Sequence, residues 1–177
     1  MLPLGTDAPR FELWDSVSSS IKTLNNLKGS KGTLVMFICN HCPFVIHINE
    51  ALVSVTKTLQ NAGINAIAIS SNDVENYPQD GPEQMRIHAE NQNYPFAYLY
   101  DETQSVAKAY DATCTPDFFL FDSNLKLVYR GQLDESRPGN GRVVDGADLM
   151  YAAECLIESK ENNRQQKPSI GCSIKWK

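Results

Sequence analysis

The chain has 177 residues, of which 42% are hydrophobic, and 16 basic against 21 acidic side chains give a net charge of −5. This is the composition of an ordinary globular domain, and it excludes global disorder and a strongly basic surface for nucleic acid. No apolar run is long enough to span a membrane, and the first residues do not form a secretory signal. The sequence therefore predicts a cytoplasmic protein with no membrane and no nucleic acid among its partners.

The predicted elements begin with a small β-hairpin at residues 11–13 and 21–24, followed by a βαβ unit. Residues 34–38 and 64–69 are continuous apolar runs, typical of strands buried on both faces. Between them, apolar residues recur at spacings of three and four, which predicts an amphipathic helix of about four turns. The members of this periodic set are Val45, Ile48, Leu52, Val55 and Leu59. Two such strands joined by a helix require a parallel pair with a right-handed crossover.

The second half of the chain predicts an antiparallel end to the same sheet. Pro82 marks the start of a helix, and residues 117–121 and 126–130 flank a polar turn as in an antiparallel hairpin. A final helix is predicted over residues 147–159. The sum is an α/β fold, with a central mixed β-sheet flanked by helices, an N-terminal β extension and a C-terminal arm.

We divide the chain into a domain at residues 1–160 and a C-terminal arm at residues 161–177. In the arm, apolar side chains alternate with small or polar ones, which is the period of a half-buried strand. The apolar members are Ile170, Cys172, Ile174 and Trp176. The simpler interpretation places Cys172 on the face that packs against the domain or against a partner chain, which is compatible with a homodimer. The alternative is that Cys172 is a mobile resolving cysteine.

Two of the five cysteines, Cys39 and Cys42, come where the first buried strand meets the amphipathic helix. Their spacing places both sulfurs on one side of a helical turn, and we expect Cys39 at or near the N-cap. There the unsatisfied N–H groups and the positive end of the helix dipole favour the thiolate, which is the nucleophilic form. A protonated His41 would stabilise the thiolate further. A disulfide that closes so short a loop stabilises little, so the pair suits redox chemistry better.

The main alternative for this pair is half of a metal site. Zinc takes about four ligands, and the chain has three histidines and no second pair of this spacing, so we predict no metal and no cofactor. A second landmark is Thr115-Pro116, because proline cannot donate to a sheet ladder and belongs at the start of a strand. Cys114 either fills a gap in the core or relays a disulfide.

Together these features resemble the peroxiredoxin-like branch of the thioredoxin-fold superfamily, of the alkyl hydroperoxide reductase/thiol-specific antioxidant type. The residues that carry the resemblance are 37–44, with the motif Cys-Asn-His-Cys-Pro, and 71–73, 98–104, 114–119 and 169–177. The resemblance implies a thioredoxin-like fold in which Cys39 is the exposed nucleophile and Cys42 the resolving cysteine. It also implies that Pro116 is a cis-proline facing the pair and that the Thr115 backbone meets the substrate.

The chain departs from the thioredoxin pattern and also from the peroxiredoxin pattern. The strand at residues 34–38 carries no acidic residue, so the buried carboxylate that assists the second cysteine of thioredoxins has no counterpart there. In the peroxiredoxin register, peroxide would be attacked by Cys42, but Cys39 replaces the usual threonine. No arginine lies near Thr115 to stabilise the leaving oxygen, and Arg130 belongs to the far hairpin strand.

The leading hypothesis is a thiol–disulfide oxidoreductase that uses Cys39 and Cys42, and the alternative is a thiol-dependent peroxidase that attacks peroxide through Cys42. A binding module that keeps the fold without turnover is a third hypothesis. The partners expected of the enzyme are a disulfide-containing protein or a small thiol or peroxide substrate, together with an external thiol reductant.

Overall fold

The structure is a computed structural model that describes residues 2–177. Its strands are β1 (Glu12–Asp15), β2 (Ser20–Thr23), β3 (Gly32–Phe37), β4 (Ile64–Ser70), β5 (Ala97–Tyr100), β6 (Cys114–Thr115), β7 (Asp117–Asp122), β8 (Leu127–Gly131) and β9 (Cys172–Ser173). Its α-helices are α1 (Leu24–Leu27), α2 (Pro43–Asn61), α3 (Pro82–Gln92), α4 (Ser105–Ala109) and α5 (Ala147–Ile157), and a single 3-10 turn covers Pro78–Asp80. Within residues 2–177, none of the helices has both the length and the apolar character that a bilayer crossing requires.

Seven strands form one mixed sheet in the order β2-β1-β5-β4-β3-β7-β8. The three inner neighbours β3, β4 and β5 run parallel, whereas the β7–β8 hairpin at one end and the β1–β2 hairpin at the other pair antiparallel. The predicted βαβ unit is therefore β3–α2–β4, and the predicted antiparallel hairpin is β7–β8. The prediction of a central mixed sheet flanked by helices is confirmed.

The central strand β3 supplies both halves of the core, because successive side chains of a strand point to opposite faces of the sheet. Leu34 and Met36 pack in one apolar cluster, which also holds the buried residues of α2, α3 and α5. Val35 and Phe37 pack in a second cluster on the other face, with α1 and α4. All of the periodic residues that predicted α2 are buried. The amphipathic pattern thus positions the N-terminus of α2 at the end of β3, where the cysteine pair lies.

The arm is a strand over only a short part of its length. Its strand β9 pairs antiparallel with β6 through two residue pairs, Cys114 with Ser173 and Thr115 with Cys172. Ile174 is buried in the second cluster, but Ile170 and Trp176 are 57% and 42% exposed. The predicted half-buried strand is therefore right for the centre of the arm and wrong at its outer positions, because β6 is too short to pair with more of it.

Candidate active site

The cysteine pair lies at the N-terminus of α2, but in a different register from the predicted one. α2 begins at Pro43, and its N-cap is Cys42. Cys39, expected at or near the N-cap, lies three residues before it, because Pro43 occupies the first helical position, where its missing N–H costs nothing. Cys39 lies in the loop between β3 and the helix. Cys42 is consequently the sulfur nearer to the positive end of the helix dipole.

Thr115, the last residue of β6, and Pro116, which links β6 to β7, face this pair. We call these two residues with Cys114 the β6 loop. The Thr115–Pro116 peptide bond is cis, as the family resemblance implied. The Thr115 hydroxyl oxygen lies 3.5 Å from Cys39 Sγ, and the Thr115 carbonyl oxygen lies 3.2 Å from Cys42 Sγ. One residue of the β6 loop therefore contacts both sulfurs.

The C-terminal arm covers the pair from the other side. Thr115 pairs with Cys172 in the β6–β9 ladder, and the Cys172 side chain packs against the apolar cluster that holds Cys42. Cys39 is 2% exposed and Cys42 is 0% exposed. The expectation of an exposed Cys39 is therefore wrong while the arm is docked, because the arm fills the space above Thr115.

Cys42 is the sulfur of the pair that holds a negative charge. Hydrogen bonds from the Cys39 thiol, from Cys172 and from the Thr115 hydroxyl lower the pKa of Cys42 to about 4, although burial opposes them. The Thr115 carbonyl oxygen can accept a hydrogen bond from Cys42 only when Cys42 is a thiol. This one bond favours the thiol form less than the three donors favour the thiolate. The pKa of Cys39 is raised well above its ordinary value, because this thiol donates to Cys42, is buried and faces the Asp80 carboxylate. The pair therefore keeps one proton, on Cys39.

Asp80 is the functional residue that sequence reasoning missed. This carboxylate is fully buried and accepts hydrogen bonds from the Asn40 N–H at 2.8 Å, from His41 Nδ1 at 2.6 Å and from Asn72 Nδ2 at 2.8 Å. Asp80 therefore fixes the position of the His41 ring and of the Asn40 backbone in the cysteine loop. Asp80 belongs to the 3-10 turn before α3, and a polar residue before Gly-Pro carries no local signal of a role elsewhere.

Donor atoms of Cys39, His41 and Asp80 lie within 4.8 Å of one another, a spacing that a metal ion could also use. Asp80, however, already accepts from three donors, and His41 Nδ1 is directed at it. Structural zinc takes four protein ligands. We therefore interpret the three side chains as a hydrogen-bonding network around Cys39.

The two remaining thiols are unsuited to exchange. Cys114 Sγ donates to the carbonyl oxygens of Pro116 and Ser169, at 3.8 Å each, and burial together with the Asp117 charge raises its pKa to about 12. These contacts favour a packing role for Cys114 over a relay. Cys155 is buried in α5.

Arg130 lies on β8, the far strand of the hairpin, as predicted. Its guanidinium donates to the Asp111 carbonyl oxygen at 2.7 Å and lies 3.6 Å from the Asp117 carboxylate. The Arg130 guanidinium is therefore engaged by Asp111 and Asp117. Arg130 does not take the place of the arginine that stabilises the leaving oxygen in peroxiredoxins.

Comparison with known proteins places this geometry in a family. Residues 4–130, more than half of the chain, match the model of the AhpC/TSA family. The chain belongs to the AhpC/TSA family. Two solved structures resemble this family member over its full length. An uncharacterized conserved protein from Geobacillus kaustophilus is 53% identical, with a TM-score of 0.98, and the match covers 100% of this chain and 94% of the other. A hypothetical protein from Sinorhizobium meliloti 1021 is 45% identical, with a TM-score of 0.96 and coverage of 100% and 96%.

More distant solved structures define the fold. The thioredoxin domain of a thiol-disulfide oxidoreductase from Bacteroides vulgatus is 18% identical, with a TM-score of 0.64 and coverage of 85% of this chain and 96% of the other. Peroxiredoxins are also among these matches. The thioredoxin-like fold predicted from the sequence is therefore confirmed. The comparison with curated proteins gave no match. This AhpC/TSA protein thus shares its fold with thiol–disulfide oxidoreductases and peroxiredoxins.

Proposed function

We propose that this protein is a thiol–disulfide oxidoreductase whose redox pair is Cys39 and Cys42. The observation that carries the proposal is that the two cysteines lie together at the N-terminus of α2, next to cis-Pro116, with the Thr115 hydroxyl oxygen 3.5 Å from Cys39 Sγ and the Thr115 carbonyl oxygen 3.2 Å from Cys42 Sγ. A thiolate is the nucleophile in disulfide exchange, and a second sulfur beside it is needed to release the product. The pair thus combines the two groups that the reaction requires.

In the proposed reaction, Cys42 attacks first, because it is the sulfur of the pair that carries the thiolate. The Cys42 thiolate bonds to one substrate sulfur, and the other substrate sulfur leaves as a thiolate. Cys39 then attacks Cys42 Sγ, and the first substrate sulfur leaves with the Cys39 proton. Two electrons have passed to the substrate, and an external thiol reductant returns the Cys39–Cys42 disulfide to the dithiol.

The test is reduction of insulin disulfides in the presence of dithiothreitol. We expect Cys39→Ser and Cys42→Ser to fall well below the wild-type rate, because neither variant can close the Cys39–Cys42 disulfide. Cys155→Ala, which removes a buried thiol of α5, is the matched control and should keep the wild-type rate. Circular dichroism should show that all three variants are folded. The proposal is wrong if Cys39→Ser reduces insulin as fast as the wild type.

A thiol-dependent peroxidase is the second candidate, and the lowered pKa of Cys42 favours it. In this reaction the Cys42 thiolate attacks a peroxide oxygen and becomes a sulfenic acid, while water or an alcohol leaves. The Cys39 thiol then condenses with the sulfenic acid and releases water. We expect slow turnover, because Arg130 is engaged with Asp111 and Asp117.

Peroxide consumption coupled to a thiol reductant measures this activity directly. With Cys39 and Cys172 both replaced by serine, the intermediate should persist, and a sulfenic-acid reagent should label Cys42. Labelling of Cys39 in Cys42→Ser, together with no labelling of Cys42 in the double variant, would contradict the assignment of Cys42 as the attacked sulfur.

A further inference from the structure

The C-terminal arm approaches the active site more closely than ordinary side-chain packing allows. A Cβ atom at Gly171 would lie 1.9 Å from the Thr115 carbonyl oxygen and 3.1 Å from Pro116 N. Only a glycine fits at this position, since real side chains do not approach backbone atoms so closely. The absence of a side chain at Gly171 brings the next residue, Cys172, into register with Thr115.

Polar groups from two other loops hold the arm in this position. The Lys175 N–H donates to Asn72 Oδ1 at 2.9 Å, and the Lys175 carbonyl oxygen accepts from the Asp73 N–H and from Gln104 Nε2, each at 2.8 Å. Gln104 also accepts from the Lys177 N–H at 3.0 Å. Asn72 and Gln104 are themselves buried, so these bonds are a built binding surface for an extended backbone.

Cys172 is thereby placed beside the cysteine pair. It pairs with Thr115, whose hydroxyl oxygen lies 3.5 Å from Cys39 Sγ and whose carbonyl oxygen lies 3.2 Å from Cys42 Sγ, and it packs against the cluster that holds both sulfurs. Interaction with Cys39 and with Cys172 also lowers the pKa of Cys42. Cys172 is half-buried, whereas the other two are almost fully buried. In disulfide exchange the attacked sulfur exchanges its bond to the leaving sulfur for a bond to the attacking one, so Cys42, which interacts with both Cys39 and Cys172, is the sulfur that the arm can attack.

We propose that Cys172 is a third redox-active cysteine, which attacks Cys42 of the oxidised Cys39–Cys42 pair and transfers the disulfide to the arm. The inference rests on the proposed function, which supplies the oxidised pair. Cys172 releases its proton as its sulfur bonds to Cys42 Sγ, the Cys39–Cys42 bond breaks, and Cys39 leaves with the electron pair and takes up a proton. The number of disulfides is unchanged, so the step needs no further oxidant.

The transfer gives an external thiol access to a covered pair. The thiol attacks Cys172 Sγ, the sulfur of the three that is partly exposed, and Cys42 leaves as a thiolate. A second external thiol then displaces Cys172 from the mixed disulfide, so that one external disulfide forms and the chain regains its three thiols. Cys42 is a good leaving group because its thiolate is stabilised by the donors around it.

Diamide, a small thiol oxidant, provides the test on the full chain. After oxidation, free thiols are blocked by alkylation, and the disulfides are mapped by mass spectrometry of non-reduced digests. We expect a Cys42–Cys172 disulfide in Cys39→Ser, and in the wild type both this disulfide and Cys39–Cys42. In Cys172→Ser only Cys39–Cys42 should form.

A second variant tests the docked arm without removing a cysteine. Added to Cys39→Ser, Gly171→Ala should slow formation of the Cys42–Cys172 disulfide by about tenfold or more, because the two sulfurs lose their preset orientation. Ser173→Ala, on the exposed side of β9, is the matched control and should not change the rate.

The proposal is overturned if Cys42 and Cys172 of Cys39→Ser both stay free during oxidation and are then alkylated. It is also overturned if the Cys42–Cys172 disulfide forms at the control rate when Gly171→Ala is added. Insulin reduction separates this failure from that of the proposed function. If the wild type reduces insulin but Cys39→Ser forms no Cys42–Cys172 disulfide, only the redox role of Cys172 is contradicted. If the Cys42–Cys172 disulfide forms but the wild type does not reduce insulin, only the proposed oxidoreductase function is contradicted.

Discussion

At the scale of single residues, the decisive feature is the difference between two cysteines that the motif treats alike. Cys42 is the N-cap of α2 and accepts hydrogen bonds from three residues, whereas Cys39 faces the buried Asp80 carboxylate. A thiolate is stabilised by donors and by the helix dipole, and it is destabilised by a nearby negative charge. The negative charge therefore belongs on Cys42.

This assignment predicts how the thiolate responds to pH. The Cys42 pKa of about 4 lies below the ordinary value, so the thiolate is present above pH 4 and is lost as the pH falls through that value. Cys39→Ala should raise the pKa of Cys42 by about one unit or more, since a hydrogen bond to a charged group contributes about 1.5–3 kcal/mol. The measurement is the pH dependence of thiolate absorbance, or of Cys42 alkylation in the Cys39 variants.

Cys39→Ser is the matched control for this prediction, because its hydroxyl can still donate to Cys42 and should give a smaller shift. Absence of a thiolate below neutral pH in the wild type, or equal shifts in the two variants, would show that Cys39 does not stabilise the Cys42 thiolate.

At the scale of elements, the site is the meeting point of the α2 N-terminus, the β6 loop and the arm. None of these is a redox site alone: α2 supplies Cys42, the β6 loop supplies Thr115, and β9 supplies Cys172. The arm is held chiefly by backbone hydrogen bonds to side chains of other loops. Segments held in this way open at lower free energy than a packed core, so the arm is the element expected to move when a substrate enters.

Weakening the arm should therefore expose the pair. Gln104→Ala removes the side-chain bonds to Ser71, Lys175 and Lys177. Since a typical hydrogen bond contributes about 1 kcal/mol, we expect Cys42 to be alkylated about tenfold faster or more. The measurement is the iodoacetamide rate at Cys42 by mass spectrometry.

Thr103→Ala, at an exposed neighbour of Gln104, serves as the control and should leave the alkylation rate unchanged. If the Gln104 and Thr103 variants react at the same rate, the arm does not limit access to Cys42.

At the scale of the whole molecule, two apolar clusters on opposite faces of one sheet hold the site in place. The strand β3 contributes to both clusters, and α2 packs its apolar side onto one of them. The rigid junction of β3 and α2 determines where the cysteines lie relative to Thr115. Stability of the core and geometry of the site are consequently linked.

Two isoleucines of α2 allow a matched test of this packing. Ile48 is 4% exposed and Ile46 is 54% exposed, on the same helix. Ile48→Ala should lower the free energy of unfolding by about 2–5 kcal/mol, because it leaves a cavity in the core. Ile46→Ala should change it by less than about 0.5 kcal/mol, since an exposed site loses little. Urea unfolding measures both, and equal effects would contradict the predicted orientation of α2.

The sequence by itself determined the main strands and helices, the βαβ unit and the motif, because these depend on patterns of residues that are near neighbours in the chain. The apolar period predicted α2 with its buried face, and the position of Thr115-Pro116 before a strand marked the second part of the site. The continuous apolar run at residues 34–38 predicted β3 as a strand buried on both faces. Each of these patterns lies within one short, continuous stretch of sequence.

Only the tertiary structure decided which sulfur carries the charge and what covers it. Asp80 approaches His41 across 39 positions of sequence, and Cys172 reaches Cys42 from the far end of the chain. Hydrogen bonds and charge interactions depend on distances of a few ångströms between side chains. For residues far apart in sequence, such distances exist only once the strands and loops have packed, so no local pattern could have revealed them.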